Sequence, residues 1–220
     1  KRIENLCNFA LMRNTPVMLI GPTQIGKSKC LEEYIRRSNK QVCYVRIPAA
    51  PTMKLVVAAF ADAVGVTSSI SVDDARQRVA KAIGRNTLLI IDELHELVMS
   101  AGKGTAMKCI EWIREIWDKS KCGLVLCGTR AMKDDLIDDV KMKGWLVQIE
   151  ERCQRVMTLP SKLPIEDIIL AAEAYGIKGS TVCVEGLLSR IKMNRLTSCL
   201  ALTASWCNGN NHAKEKHPKN

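Results

Sequence analysis

The segment from Gly21 to Ser28 constrains this chain more than any other stretch. It reads G-P-T-Q-I-G-K-S, which has the G-x-x-x-x-G-K-[ST] spacing of the phosphate-binding P-loop. Glycines let the backbone turn tightly and bring its N–H groups close to an anion, and the N-terminus of a following helix adds unpaired donors. An apolar run at residues 17–20 precedes the motif, and a stretch with helical spacing at residues 30–37 follows it. This strand–loop–helix context favours a P-loop over a chance glycine-rich turn.

The motif also predicts a role for its individual side chains. Lys27 is expected to reach the β- and γ-phosphates of ATP, and the Ser28 hydroxyl is expected to ligate Mg²⁺. The residues predicted to bind the nucleotide are Gly21, Pro22, Thr23, Gln24, Ile25, Gly26, Lys27, Ser28 and Lys29.

An acidic pair follows a fully apolar run later in the chain. Residues 88–91 read L-L-I-I, as expected of a central strand in a parallel sheet, and Asp92 and Glu93 come directly after it. Open α/β sheets bind ligands at the carboxyl ends of their strands. We therefore expect Asp92 to join Ser28 at Mg²⁺ and Glu93 to polarise the attacking water. The alternative is an acidic strand end that only caps the next helix, and the upstream P-loop disfavours it.

Polar side chains near the last two predicted strands complete the candidate catalytic set. Thr129 follows an apolar run at residues 123–127, where a sensor of the γ-phosphate would lie; the alternative is a turn residue that caps the following helix. Arg152 and Arg155 precede a short strand at residues 156–159. They suit a trans-acting arginine finger that completes the site of a neighbouring copy, and they suit surface salt bridges equally well.

Composition sets broad limits on the function. With 220 residues, 47% apolar and 25% charged, the chain has the make-up of a globular protein. Because no apolar run reaches membrane-spanning length, we expect no membrane partner. Lys and Arg exceed Asp and Glu by 33 to 23, which gives a net charge of +10. That excess favours a polyanionic partner such as nucleic acid, with a basic surface kept for solubility as the alternative.

The cysteines and tryptophans are interpreted as core residues. The ten cysteines show neither C-x-x-C nor zinc-ligand spacing, and several, such as Cys43 and Cys127, fall in apolar runs. We interpret them as reduced thiols in a cytosolic protein. Trp112 and Trp117 lie in a long predicted helix and are expected to pack rather than to stack on bases.

The order of apolar runs predicts an α/β fold with a five-stranded parallel sheet flanked by helices. Pro160 and Pro164 mark a boundary, and three helical patterns and then a polar stretch follow it. We expect an α/β nucleotide-binding core over residues 1–160, a small helical lid over residues 161–207 and a disordered polar tail over residues 208–220.

Together these features resemble an AAA+ ATPase. Within that class the chain is similar to the MuB-type transposition ATPases, which include the TniB and TnsC target-selection proteins. The similarity covers residues 4–206. It rests on the P-loop, on I-I-D-E at residues 90–93, on G-L-V-L-C-G-T-R at residues 123–130 and on N-R-L-T-S-C-L-A-L at residues 194–202.

The resemblance implies a function. Such proteins bind ATP and Mg²⁺, assemble as a homo-oligomeric filament or ring on double-stranded DNA with little sequence preference, and recruit or stimulate a transposase. Hydrolysis then dismantles the assembly. It also implies a cytoplasmic protein of bacterial or phage origin.

The resemblance further implies site residues outside the P-loop. Arg195 in the lid falls near the position of a sensor-2 arginine. Lys54, Lys103, Lys108 and Arg130, which we place in loops after strands, are candidates to face DNA. Their alternative is that of ordinary solvated side chains.

The sequence departs from the family in two respects. The MuB protein carries an N-terminal helix-turn-helix domain that has no counterpart here, so either the sequence lacks it or this member never had it. Thr129 stands at the sensor position where related proteins often have Asn. Two other functions stay open: a helicase loader of the DnaC or IstB kind, and a STAND-like nucleotide switch without a DNA role, against which the net charge weighs.

Overall fold

The computed structural model describes residues 1–67, 71–130 and 150–161. The chain divides into two compact units, Lys1–Gly21 with Lys27–Leu159, and Pro22–Gly26 with Pro160–Asn220. The predicted lid beyond residue 161, its Arg195 and the predicted tail lie outside the described residues, so those expectations stay predictions.

The helices and strands described belong to the first unit. In chain order they are α1 (Arg2–Arg13), β1 (Pro16–Ile20), α2 (Lys27–Arg37), β2 (Val42–Arg46), α3 (Met53–Val64), α4 (Val72–Ala82), β3 (Leu88–Asp92), α5 (His95–Met99), α6 (Lys103–Ser120), β4 (Gly123–Gly128) and β5 (Arg155–Thr158).

The five strands form one parallel sheet in the order β2-β3-β4-β1-β5, which confirms the predicted fold class. The three central strands are buried at every position, whereas β2 alternates and β5, at the edge, is mostly exposed. Continuous apolar runs such as L-L-I-I therefore specify the centre of the sheet, because helices cover both of its faces.

Successive strand residues point to opposite faces and enter two apolar clusters. Leu88 and Ile90 pack with α1 and α2 on one face, and Leu89 and Ile91 pack with α3, α4, α5 and α6 on the other. The second cluster contains the aromatic pair Phe60–Trp112, whose ring centroids are 4.9 Å apart. This burial supplies most of the driving force for folding, at about 1.5–3 kcal/mol for each large side chain.

Local capping explains the ends of two helices on that second face. Thr52 Oγ1 accepts from the Leu55 N–H at 3.3 Å at the start of α3, and Ser71 Oγ accepts from the Asp74 N–H at 3.1 Å at the start of α4. Gly65 ends α3 with a φ of 70°, a left-handed conformation that glycine adopts without strain. These residues therefore set the boundaries of α3 and the start of α4.

Three of the four candidate DNA-facing residues lie on helices. Helix α6 begins at Lys103, directly after Gly102, and buries a stripe that contains Ala106 and Cys109. Lys54, Lys103 and Lys108 therefore lie on α3 and α6, and their placement in loops was wrong. Arg130 does follow strand β4, as predicted.

Cys43 and Cys127 are buried in strands, as predicted, whereas Cys30 is exposed. Among the His, Cys, Asp and Glu side chains of the described ranges, no group is arranged to hold a metal ion. Trp112 is buried, and the Trp117 indole N–H donates to Cys122 O at 3.1 Å. Within the described part of the chain, no helix combines the length and apolar character needed to cross a bilayer.

Candidate nucleotide-binding site

Three buried strands end side by side at one edge of the sheet. Parallel pairing of β1, β3 and β4 places their carboxyl ends together, with Ile20 paired to Gly128 and Ile91 to Leu126. Two backbone hydrogen bonds extend the contact past the strand ends: Gly21 N–H donates to Gly128 O at 3.2 Å, and Leu94 N–H donates to Cys127 O at 2.9 Å. This edge is where a ligand of an open α/β sheet is expected.

Asp92 ends β3 at that edge and is fully buried. Its Oδ2 accepts from the Tyr44 hydroxyl at 2.8 Å, and its Oδ1 accepts from the Glu93 N–H at 2.9 Å. The nearby Ser28 hydroxyl and Cys127 thiol also lower the pKa of its carboxyl. Burial by itself would raise the pKa of the Asp92 carboxyl, but these four groups outweigh it and hold the pKa below its ordinary value. Asp92 is therefore an anion preorganised beside Ser28.

Lys27 supplies the cation of the site. It begins α2, is only 6% exposed, and its Nζ donates to Gly21 O at 3.0 Å. An ammonium held this far from water is set to bind an anion.

Gly21 has a structural task that the motif alone does not reveal. A Cβ at this position would lie 2.9 Å from Leu159 Cβ, so a side chain would push apart the ends of β1 and β5. Its N–H also continues the sheet by bonding Gly128. Close packing against Leu159 therefore explains why this position is glycine. A contact between the Gly21 N–H and a nucleotide is not needed to explain it.

The turn before α2 has the backbone that the motif predicts. Gln24 and Gly26 adopt positive φ angles of 61° and 92°. Alternation of this kind directs successive N–H groups to one side, which suits an anion. Pro22, Thr23 and Ile25 complete the turn, and their nucleotide contacts stay a prediction. Lys29 pairs with Glu32 at 2.8 Å, and its side chain is largely exposed.

Glu93 is held differently from its neighbour. It is in a left-handed backbone conformation with a φ of 57°, which is costly for a residue with a Cβ and typical of functional sites. Its Oε1 lies 3.7 Å from Arg46 Nη2, and its Oε2 lies 3.3 Å from His95 Nδ1.

Thr129 lies just beyond β4 at the same edge. It is 5% exposed, and its Oγ1 has no hydrogen-bond partner in the described part of the chain. A buried hydroxyl without a partner costs roughly 1–3 kcal/mol, so its presence here indicates a polar atom of a ligand as the partner. This observation favours the sensor interpretation over a simple helix cap.

The donor set fits a Mg²⁺-nucleotide. Ser28 and Asp92 offer the hydroxyl and carboxylate oxygens that Mg²⁺ prefers, Lys27 offers a cation for phosphate, and Thr129 offers an unpartnered hydroxyl. The structure thus brings Gly21, Lys27, Ser28, Asp92 and Thr129 to one edge, as the sequence predicts.

The sequence-based interpretation missed four side chains here: Tyr44, Arg46, His95 and Cys127. Tyr44 and Arg46 enter through the β2–β3 register, which pairs Arg46 with Asp92. Strand neighbours cannot be read from the chain order, since β2 and β3 are separated by two helices. His95 could have been noticed, because it is the only histidine within the predicted core.

The candidate arginines make contacts within their own chain. Arg152 Nη1 lies 3.8 Å from Asp118 Oδ2, and the Arg155 guanidinium lies 3.8 Å from the centroid of the Phe9 ring. Arg130 Nη2 donates to Leu159 O at 3.3 Å. The edge position of the strand after Arg152 is confirmed, but a role as an arginine finger stays a prediction.

Comparison with known proteins identifies the class of this site. The family profile described as AAA domain matches residues 11–136, more than half of the 220 residues. The chain belongs to the AAA domain family. The profile covers the turn before α2, Asp92, Glu93 and Thr129. It agrees with the predicted AAA+ class. A comparison with curated protein sequences gives no match.

Solved structures share the fold of this AAA domain at low sequence identity. The Aeropyrum pernix ORC2 protein in ADPNP–ADP complexes has a TM-score of 0.56 and 15% identity, over 78% of this chain and 50% of that one. The replication initiator DnaA bound to AMPPCP and single-stranded DNA has a TM-score of 0.59 and 16% identity, over 90% and 59%. Cdc6p from Pyrobaculum aerophilum has a TM-score of 0.59 and 15% identity, over 96% and 62%. This chain therefore spans 50% to 62% of the length of these structures.

Proposed function

We propose that this AAA protein hydrolyses ATP with Mg²⁺ at the edge formed by β1, β3 and β4, and that it couples hydrolysis to assembly on double-stranded DNA. The approach of the Ser28 hydroxyl to Asp92 carries the proposal, since it brings the start of α2 to the acidic end of β3. A shared Mg²⁺ site requires this approach of two residues far apart in sequence.

Each side chain has a distinct part in the proposed reaction. Lys27 binds phosphate oxygens, and Ser28 and Asp92 hold Mg²⁺, which neutralises developing charge on the phosphates. Glu93 orients a water and accepts its proton, and Thr129 binds the terminal phosphate. The low pKa of Asp92 keeps it ionised, so it stays a metal ligand at neutral pH.

The ATPase proposal is tested by Glu93→Gln and Lys27→Ala in the full chain. Loss of a general base costs about 10²–10⁴-fold in rate, so Glu93→Gln should bind ATP but scarcely hydrolyse it. Lys27→Ala should lose ATP binding as well. Phosphate release and fluorescent-nucleotide titration distinguish these two losses, and wild-type hydrolysis by Glu93→Gln would disprove the assigned role.

A basic region on the α3–α6 face supports the DNA part of the proposal. Lys54 and Lys108 are exposed, and they flank Met53 and Cys109, whose sulfur atoms are 3.5 Å apart. Two cations on neighbouring helices suit phosphates of a duplex, because phosphate contacts dominate non-specific affinity. Lys103, which is also exposed, is the first residue of α6.

A charge-matched pair of double variants tests this surface. Lys54→Ala with Lys108→Ala should weaken duplex binding and lower the salt slope by about two, at roughly 0.9 per phosphate contact. Lys40→Ala with Lys81→Ala removes the same charge from other exposed positions and should leave the slope unchanged. Equal losses in both double variants would indicate a net-charge effect without a defined DNA surface.

We further propose that the oligomer completes the site with Arg152 or Arg155 from a neighbouring copy. Both lie next to or within the exposed edge strand β5, where a second copy can approach. The specific rate should then rise with protein concentration. Arg152→Ala and Arg155→Ala should each be assayed for rate and for assembly on DNA, because a finger affects the rate far more than the assembly.

Two biological settings follow from the same biochemistry. The sequence resemblance favours target selection in transposition with a transposase as partner. The second candidate is a role in replication, either as an initiator, by analogy with the replication initiator DnaA whose fold this chain shares, or as the helicase loader left open by the sequence.

Partner capture in the presence of a non-hydrolysable ATP analogue separates these settings. Retention of a transposase supports the first setting, and retention of a replicative helicase supports the second. Imaging with duplex DNA under the same conditions tests the assembly, and Lys27→Ala is the control. If that variant coats DNA as the wild type does, nucleotide-gated assembly is excluded.

A further inference from the structure

His95 is a buried titratable group with no part in the reaction outlined above. It begins α5 and is 8% exposed. Its Nδ1 lies 3.3 Å from Glu93 Oε2 and its Nε2 lies 3.9 Å from Glu96 Oε1. Within the described residues Nδ1 makes no hydrogen bond, because Glu93 Oε2 lies outside the N–H direction.

The ring is held in place by its neighbours in sequence. Leu94 and Leu97 are buried on either side of His95, and Leu94 N–H donates to Cys127 O at 2.9 Å. Glu96 N–H donates to Glu93 O at 2.9 Å, which ties the start of α5 to the backbone of Glu93. A small rotation of the Glu93 carboxylate, with the ring fixed, therefore brings Nδ1–H and Oε2 into line.

Arg46 is the other charged side chain that faces Glu93 in the described structure. Its Nη2 lies 3.7 Å from Oε1, and its side chain is 65% exposed, so water screens this pair. His95 is the more buried partner and contacts the other carboxylate oxygen. A buried donor left unpaired is unfavourable, so a hydrogen bond from His95 to Glu93 is favoured.

We propose that His95 is the positioning residue for Glu93. The Nδ1–H of His95 donates to Oε2 and fixes the carboxylate, and Oε1 stays available to accept from the attacking water. The idea rests on the proposed ATPase function, in which Glu93 is the general base. His95 acts through Glu93 and touches neither nucleotide nor metal.

The matched variants His95→Asn and His95→Gln test which ring nitrogen matters. The Asn amide replaces Nδ1 and the Gln amide replaces Nε2. We expect His95→Gln and His95→Ala to lower kcat about tenfold with KM for ATP within about twofold, and His95→Asn to stay within about threefold of the wild type. In a Glu93→Gln background, His95→Gln should lower the rate no further.

The outcomes separate this inference from the function on which it rests. If the wild type hydrolyses ATP and Glu93→Gln does not, yet His95→Gln keeps the wild-type kcat or exceeds His95→Asn, His95 is not a positioning residue. If the wild-type protein does not hydrolyse ATP, the ATPase proposal and this inference are both overturned.

A second measurement leaves His95 unchanged, so it is valid even if the His95 variants fail to fold. The chain has three histidines, so ¹⁵N-histidine spectra are simple to assign. The Nδ1 resonance of His95 should move when Glu93→Gln is introduced and should stay in place with Glu96→Gln. An unchanged resonance in Glu93→Gln would overturn the inference.

Discussion

Asp92 and Glu93 are adjacent acids, but they differ in burial, backbone conformation and contacts. Asp92 is fully buried, ends a strand in regular conformation and accepts hydrogen bonds from the Tyr44 hydroxyl and the Glu93 N–H. Glu93 has a left-handed backbone, a partly exposed side chain and two looser ionic contacts. One carboxylate is fixed in advance, and the other is free to reorient.

This difference suits two separate tasks. A metal ligand has to be ionised and in place before the metal arrives, which the donors around Asp92 ensure. A general base has to be aligned with its water, and the looser contacts of Glu93 let its carboxylate rotate into the hydrogen bond with His95 proposed above. The predictions below test the contrast in order of decreasing effect.

Asp92→Asn should have the largest effect. Its amide places a donor among groups that already donate, and it removes the anion that would hold Mg²⁺. Activity should fall by at least about 100-fold, with a loss of stability of roughly 1–3 kcal/mol. Mg²⁺ titration of nucleotide hydrolysis and thermal unfolding measure the two losses. Wild-type stability of this variant would contradict a preorganised Asp92.

Tyr44→Phe should have a moderate effect of the same kind. It removes one of the four groups that lower the pKa of Asp92 and leaves the ring packed, so this pKa should rise toward its ordinary value. The Mg²⁺ concentration for half-maximal activity should increase about tenfold. Tyr34→Phe, which removes the hydroxyl that donates to Asn8 at 3.0 Å, is a matched control and should leave this concentration unchanged.

Acid should reveal the Asp92 contribution to stability. Because the folded state lowers the pKa of Asp92, its ionised form stabilises the fold above the ordinary pKa of about 3.9 and loses this effect as the pH falls through the folded value. The difference in melting temperature between wild type and Asp92→Asn should be constant near neutrality and shrink below about pH 4. A difference that grows on acidification would reverse the assignment.

Arg46→Gln should have the smallest effect. The guanidinium is exposed and 3.7 Å from Glu93, and such pairs contribute roughly 0–1 kcal/mol. We expect less than about a threefold change in kcat, which steady-state hydrolysis can resolve. A loss as large as that of Glu93→Gln would show that Glu93 is held as firmly as Asp92, and the contrast would fail.

The local sequence pattern was enough to predict the helices and strands and half of the candidate site. The L-L-I-I run before Asp92 indicates a buried parallel strand, Thr52 and Gly65 mark the ends of α3, and the P-loop spacing identifies Lys27 and Ser28. Each of these depends on residues close together in the chain, so their geometry is set by backbone rules that sequence spacing reflects. The family, too, is recognisable from these segments.

The remaining contacts of the site depend on the tertiary structure, which brings together residues far apart in the sequence. Only the sheet order puts β2 beside β3, so that Tyr44 reaches Asp92 and Arg46 reaches Glu93. Only the approach of Leu159 explains why position 21 must lack a side chain. These contacts join residues whose separation along the chain carries no periodic signal, because free energy gained across the whole core decides which strands become neighbours.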